Sequence, residues 1–143
     1  MYKGLYNHRL NEVCNWLLEQ IIRTARELGE SRVWADKFMS KWLWNQNQID
    51  IEVFLANDDI RTFYHLMRWK EEAPYPLSEL CNRFINRDLL KALPIEHLNK
   101  RIQLEVLALA RKLAECNGED PDLTCGLRHQ DIHGYHPYRG GIR

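Results

Sequence analysis

The chain has 143 residues with 20 basic and 20 acidic side chains, so its formal net charge is zero when the six histidines are neutral. A length of this order suits one compact domain with a substantial hydrophobic core. The balanced charge creates no global attraction to nucleic acid or to an anionic membrane. Nucleic-acid binding is therefore not expected, and any anion site has to be a local cluster of basic residues.

The sequence also argues against membrane insertion and against a disulfide framework. No apolar run approaches the roughly 20 residues that a bilayer-spanning helix needs, and the first residues lack the order of a signal peptide. We therefore expect a cytoplasmic protein. The four cysteines are far apart, which favours reduced packing thiols over disulfides or a structural zinc site. They are Cys14, Cys81, Cys116 and Cys125.

The first predicted helix runs from Tyr6 to Leu28, with Gly29 as its stop. Its apolar residues recur at the period of one helix face and are expected in the core. They are Leu10, Cys14, Leu17, Ile21 and Leu28. The first turn instead places a ring, an amide, an imidazole and a guanidinium together, in Tyr6, Asn7, His8 and Arg9. This group either lines a ligand site or is an ordinary polar first turn.

An aromatic stripe characterises the second predicted helix, which lies within residues 33–44. Trp34, Phe38 and Trp42 recur at intervals of four, which places their rings on one helix face. Such a face is usually core. The alternative is a partner surface that includes Trp44, because a short chain has difficulty burying five tryptophans.

Three more helices follow from capping and periodicity. A cap at residues 57–59 precedes a third helix. Pro76 suits the first turn of a fourth, and Pro94 or Ile95 begins a long fifth helix that ends near Gly118. The third and fourth helices carry the apolar residues Ile60, Phe63, Tyr64, Met67, Leu77, Leu80, Cys81, Phe84 and Ile85, and the fifth carries Leu98, Ile102, Val106, Leu109 and Leu113.

The resulting fold prediction is an all-α protein with about five helices in an irregular bundle. Residues 1–118 form the helical domain, and residues 119–143 form an irregular tail that is loose or partly strand-like. The tail holds a cluster of metal-ligand residue types, which are Cys125, His129, Asp131, His133 and His136. Nearby glycines and a proline argue against a helix there, which favours adventitious surface histidines over a metal site.

Arg87 and Lys91 are a candidate anion-binding pair at the end of the predicted fourth helix. Either a helix or an extended strand would project both cations on the same side. Only Asp88 lies between them as a counter-charge. The alternative is that both belong to an ordinary solvated surface.

Two segments together resemble a known family. The string Tyr6-Asn7-His8-Arg9 at the head of a long helix, followed later by residues 86–91 (Asn-Arg-Asp-Leu-Leu-Lys), is similar to HD-domain phosphohydrolases of the deoxynucleoside triphosphate triphosphohydrolase type. The resemblance covers roughly residues 5–91 with gaps, and it is weaker at Tyr135, Pro137 and Tyr138.

The resemblance implies a role for each matched residue. Tyr6 corresponds to a tyrosine that packs near the sugar of the substrate nucleotide, Asn7 to the polar residue facing the base, and His8 lies in the same turn. Arg9, Arg87 and Lys91 correspond to basic residues of a regulatory nucleotide site. A triphosphate needs several fixed cations, which agrees with these residue types. The implied partners are a deoxynucleoside triphosphate and other copies of the chain in a homo-oligomer.

The catalytic half of the family pattern is missing. Enzymes of this type hold a divalent metal with a histidine, an adjacent His-Asp doublet and a later aspartate, whereas His129-Gln130-Asp131 interrupts that doublet here. The family's upstream arginine would fall before Met1. We therefore expect either a C-terminal piece of a larger HD-domain protein or a gene remnant without the catalytic half, which holds no cofactor and is inactive alone. The alternative function is a non-catalytic helical interaction module that binds a partner through its tryptophans.

Overall fold

A computed structural model describes residues 9–128, except for the side chains of Arg9 and Gln48. The described chain is all-α and contains no strand, which confirms the predicted fold class. Five helices have eight or more residues, two are shorter, and a 3-10 turn covers Gln46–Gln48. The helices are α1 Arg9–Leu28, α2 Lys37–Trp44, α3 Ile51–Ala56, α4 Asp59–Glu72, α5 Leu77–Asn86, α6 Lys100–Cys116 and α7 Pro121–Thr124.

The chain divides into two compact units, Met1–Pro94 and Ile95–Arg143. The described part of the first contains α1 to α5, and that of the second contains α6 and α7. The division falls inside residues 1–118, which the sequence analysis treated as one helical domain. In the first unit, α5 packs against α4 and α1, while α2 packs against α1 and α3. In the second unit, α6 packs against α7.

Helix α1 ends where the sequence predicted. It stops at Leu28, and Gly29 adopts a φ of 82°, a left-handed conformation that glycine adopts without steric cost. Leu17 and Ile21 are fully buried, as predicted. Leu10 is 54% exposed, so its assignment to the core was wrong. The buried face also includes four residues outside the predicted apolar set, which are Val13, Gln20, Thr24 and Ala25.

Helix α2 is shorter than predicted and buries a different face. It begins at Lys37 because the carboxylate of Asp36 accepts the backbone N–H groups of Phe38 and Met39, at 3.0 and 2.9 Å. Trp34 therefore precedes the helix and cannot share a helical stripe with Phe38. The buried residues of α2 are Met39 and Leu43. The prediction that the aromatic stripe forms the core was wrong.

Helices α4 and α5 begin at the predicted caps. Asp58 accepts the backbone N–H of Arg61 at 2.8 Å, and Pro76 precedes Leu77 at the start of α5. Three of the five apolar residues predicted on α5 are buried: Leu77, Leu80 and Cys81. On α4 the buried residues are His65, Leu66 and Trp69, whereas the predicted apolar residues lie largely exposed.

Helix α6 begins later than predicted, at Lys100 rather than at Pro94 or Ile95. Asn99 caps it by accepting the backbone N–H of Ile102 at 2.9 Å. The buried amide of Gln103 donates hydrogen bonds to the carbonyls of Ile95 and Leu98, which holds the preceding turn in a non-helical path. The helix ends before Asn117 and Gly118, as predicted.

The four cysteines are free thiols, and the predicted packing role fits the buried Cys81 but not the exposed Cys116. Burial raises the pKa of the Cys81 thiol to about 12, so this thiol stays protonated and packs as a small apolar group. Within residues 9–128, no helix combines the length and apolar character required to cross a membrane.

Candidate functional site

The residues predicted to bind a ligand come from two stretches of the sequence, residues 6–9 and residues 87–91. Tyr6, Asn7 and His8 lie outside the described residues. Arg9 begins α1, but its side chain is outside the description as well. The predicted proximity of Arg9 to Arg87 and Lys91 therefore stays a prediction, and so do the roles of these residues. The metal alternative for the tail rests mostly on residues beyond 128, which are also outside the description.

Arg87 and Lys91 lie on an irregular segment rather than on a helix or a strand. Helix α5 ends at Asn86, and Arg87 adopts a left-handed conformation with a φ of 57°. Neither the helix nor the strand from which a common face was expected is therefore present. Both side chains are exposed, and among the described residues neither makes a hydrogen bond or an ion pair. They are available to an anion as two separate cations.

In the described part of the first unit, a cluster of hydrogen bonds and ring contacts surrounds His65 on α4. This side chain is fully buried, and both ring nitrogens have partners. Nδ1 lies 2.8 Å from the carbonyl oxygen of Arg61, and Nε2 lies 3.2 Å from the backbone N–H of Asp36. Because a carbonyl only accepts and an N–H only donates, these partners fix a neutral ring with its proton on Nδ1.

Aromatic rings enclose His65. Trp34 stacks on it with a centroid separation of 5.1 Å and a tilt of 20°, and Trp69 meets it edge-on at 5.6 Å. The Trp69 indole N–H donates to the carbonyl of Trp34 at 2.6 Å. The guanidinium of Arg68 lies 3.6 Å from the centroid of the Trp34 ring, in a cation–π arrangement. Trp34 therefore contacts both a neutral imidazole and a cation.

Asp36 links this aromatic cluster to the start of α2. Its carboxylate caps α2 and forms an ion pair with Arg61. Burial alone would raise the pKa of Asp36, but the backbone hydrogen bond from Met39, the positive charge of Arg61 and further contacts outweigh burial, and the pKa is lowered. The carboxylate consequently stays charged at neutral pH.

This cluster stabilises the fold and offers no free group for catalysis. Burial lowers the pKa of His65, outweighing the Arg61 carbonyl bond and the Asp36 carboxylate, which raise it. Since both ring nitrogens are occupied, His65 has no free lone pair for proton abstraction or for metal binding. The ring instead joins α4 to the segment before α2.

Sequence reasoning missed this cluster because its two central residues are far apart in the chain. Asp36 and His65 are separated by 29 positions, and no local spacing connects them. One signal was available: an aspartate directly before Lys37 and the apolar residues of α2 is a typical N-cap. That signal would have moved the predicted start of the helix beyond Trp34.

The described residues do not provide the family's catalytic metal site. Between Arg9 and Arg128, no group of three or more histidine, cysteine, aspartate or glutamate side chains is arranged to hold a metal ion. The sequence itself lacks the His-Asp doublet that the resembled family uses. These residues do not fit the family's divalent metal, and no catalytic step is assigned to them.

No family model matches the chain, and no solved structure matches it. The chain is 27% identical over 92 residues to the uncharacterized protein YwfO of Bacillus subtilis strain 168. The match covers 64% of this chain and 21% of that protein, so the chain spans about a fifth of the relative's length.

Proposed function

We propose that the chain is a non-catalytic helical segment of an HD-domain (deoxy)nucleoside triphosphate phosphohydrolase that contributes nucleotide-binding and oligomer contacts. The main support for this proposal is the pair Arg87 and Lys91, whose side chains are exposed and make no ion pair among the described residues. The likeness of Tyr6-Asn7-His8-Arg9 and of residues 86–91 to the family supports the same proposal.

The two cations suit phosphate in different ways. The guanidinium of Arg87 presents a planar set of donors that can contact two phosphate oxygens at once, whereas the Lys91 ammonium acts as a point charge. Their exposure leaves room for a ligand, but it also means that salt weakens the attraction. Because the zero net charge gives no general attraction for anions, saturable binding would have to come from such a local group.

A titration with deoxynucleoside triphosphates at moderate salt tests the proposal. The Arg87→Ala/Lys91→Ala double variant should bind at least about tenfold more weakly, which corresponds to the loss of one charge-assisted contact. The matched control is Lys100→Ala/Lys112→Ala, which removes the same charge from exposed positions of α6 and should bind like the parent chain. Equal weakening in both variants, or no binding by the parent chain, would refute nucleotide binding at this site.

A second function, a protein-interaction module, is favoured by another observation. The expected partner residues Trp34, Trp42 and Trp44 mostly contact their own chain: Trp34 stacks on His65, and Trp42 and Trp44 contact Arg26. The large exposed apolar side chains of the first unit lie mainly on α3 and α4 instead. An interaction function would therefore use α3 and α4 rather than the tryptophans.

A further inference from the structure

One face of α4 carries an apolar stripe that the described residues of the first unit leave largely exposed. Its members are Ile60, Phe63, Tyr64 and Met67, which recur at the spacing of one helix face and are 80, 51, 55 and 41% exposed. We call this set the α4 stripe. The opposite face of the helix is buried through Leu66 and Trp69.

A helix that carries apolar residues on two opposite faces is usually covered by other protein on both of them. The preceding helix α3 ends at Ala56, directly before the α4 cap, and exposes three more large apolar residues: Ile51, Phe54 and Leu55. Seven such side chains present on the order of 700 Å² of apolar surface. About 800 Å² per partner is the size of a standard interface, and an exposed apolar area of this order usually marks an interaction site.

We propose that the α4 stripe is a self-association surface on which α4 of a second copy packs in antiparallel orientation. In this arrangement the C-terminal half of the second α4 covers Ile60 and lies beside α3. The proposal deepens the oligomer contacts of the proposed function. It does not depend on nucleotide binding, because Arg87 and Lys91 follow α5 and are not part of the stripe.

The charges beside the stripe select an identical partner. Lys70 lies about three helical turns after Asp59, so both residues flank the same side of the stripe at opposite ends. An antiparallel copy places each Asp59 opposite the Lys70 of its partner, which gives two complementary pairs related by twofold symmetry. A parallel twofold copy would instead bring the Asp59 and Lys70 side of the stripe against the side of the partner that carries Arg61 and Arg68, whose charges are already paired within their own chain.

The other flank of the stripe carries cations that are already compensated. Arg61 forms an ion pair with Asp36, and the guanidinium Nε of Arg68 lies 2.8 Å from a carboxylate oxygen of Glu72. Close approach of two identical flanks is therefore less repulsive than the presence of two arginines alone suggests. The charge pattern disfavours a strongly basic or strongly acidic partner and fits a second copy of the chain.

Sedimentation equilibrium over a range of concentrations tests this proposal. The parent chain should show a monomer–dimer equilibrium, and Phe63→Glu, which inserts a charge in the stripe, should weaken it at least about tenfold. Leu104→Glu is the matched control, since Leu104 is a 60% exposed apolar residue of α6 outside the stripe, and it should dimerise like the parent. Circular dichroism should show unchanged helix content in both variants.

Charge exchange tests the antiparallel orientation. Asp59→Lys and Lys70→Glu should each weaken the dimer, and the double variant should restore it because the two opposed pairs are re-formed with inverted sign. A parent chain that stays monomeric up to about 1 mM, or dimerisation that Phe63→Glu leaves unchanged, would overturn the proposal. A nucleotide titration of Phe63→Glu separates the proposals, because binding through Arg87 and Lys91 should survive in the monomeric variant.

Discussion

The Nε2 atom of His65 accepts a hydrogen bond from the backbone N–H of Asp36 at 3.2 Å. This bond joins a buried titratable ring to the residue that caps α2. It requires an unprotonated nitrogen, since a second proton on the ring would point directly at the N–H donor. The start of α2 and the position of Trp34 consequently depend on the protonation state of His65.

Acid should destabilise the first unit through His65. Burial lowers the pKa of His65 in the folded chain, whereas an unfolded histidine titrates near about 6.5. The unfolded state therefore binds more protons below that pH, and the free energy of unfolding should fall as the pH drops from about 6.5 toward the folded pKa. Urea unfolding followed by tryptophan fluorescence at a series of pH values measures this decline.

The control for the acid effect uses two histidine variants. His65→Gln removes the titrating ring and should remove the decline just below about pH 6.5, although its stability at neutral pH should be lower. His97→Gln changes an exposed histidine and should keep the decline. Because the pKa of Asp36 is also lowered, loss of its charge affects stability only at more acidic pH. A decline that persists in His65→Gln would contradict the assignment.

Removal of the Asp36 carboxylate should destabilise the first unit even at neutral pH. Asp36→Ala removes the cap of α2 and the Arg61 ion pair, and we expect a loss of about 1–3 kcal/mol in the free energy of unfolding. Asp36→Asn retains an oxygen that can cap the helix and should cost about 1 kcal/mol or less. Urea denaturation measures both changes.

Another capping aspartate provides the comparison. Asp50 accepts the backbone N–H of Val53 at 2.8 Å, and no described side chain forms an ion pair with it. Asp50→Ala should therefore cost only the cap, about 0.5–2 kcal/mol. Asp36→Asn keeps a capping oxygen but loses the charge. If it destabilises the unit as much as Asp36→Ala does, the cap does not make the expected contribution and the effect comes from the Arg61 ion pair.

Packing in the first unit can be tested at Leu17. Its side chain is fully buried on α1, so Leu17→Ala should reduce the free energy of unfolding by about 2–5 kcal/mol through lost apolar burial and a residual cavity. Leu93→Ala is the matched control, because Leu93 is 59% exposed in the same unit and should change stability by less than about 0.5 kcal/mol. Similar costs at both positions would show that α1 is not packed as described.

Local signals in the sequence predicted the ends of several helices. Gly29 ends α1, Asp58 caps α4, and Pro76 precedes α5, because each residue acts on the backbone within one turn, Gly29 and Pro76 through their own conformation and Asp58 through its carboxylate. The face that each helix buries was harder to predict. Ile60 and Phe63 have the right period for a core face but are exposed, while the polar His65 is buried by contacts with residues far away in the sequence.

The residues predicted to bind an anion show the same dependence on the folded backbone. The exposure of Arg87 and Lys91 fits the predicted anion site, but their relative geometry depends on the left-handed turn at Arg87. Sequence spacing could not predict this turn, because an arginine is an unusual residue there. Long-range packing and local backbone conformation, rather than periodicity, decide where these side chains lie.

Arg87 itself offers a test that separates stability from binding. The backbone N–H of Asp88 donates to the carbonyl of Arg83 at 2.9 Å, which closes the end of α5 and requires the positive φ of Arg87. A side chain in this conformation costs about 1–2 kcal/mol, partly offset for glycine by its larger backbone entropy when unfolded. We therefore expect Arg87→Gly to raise the free energy of unfolding by about 0.5–1 kcal/mol.

The control is Arg87→Ala, which keeps the backbone strain and loses only an exposed side chain, so its stability should stay within about 0.5 kcal/mol of the parent. Urea denaturation gives the stability of both variants, and nucleotide titration gives their affinity. Both variants should lose nucleotide affinity, because each lacks the guanidinium, but only Arg87→Gly should be more stable. A gain in stability with Arg87→Ala as well would contradict an origin in the positive φ, since alanine tolerates that conformation no better than arginine does.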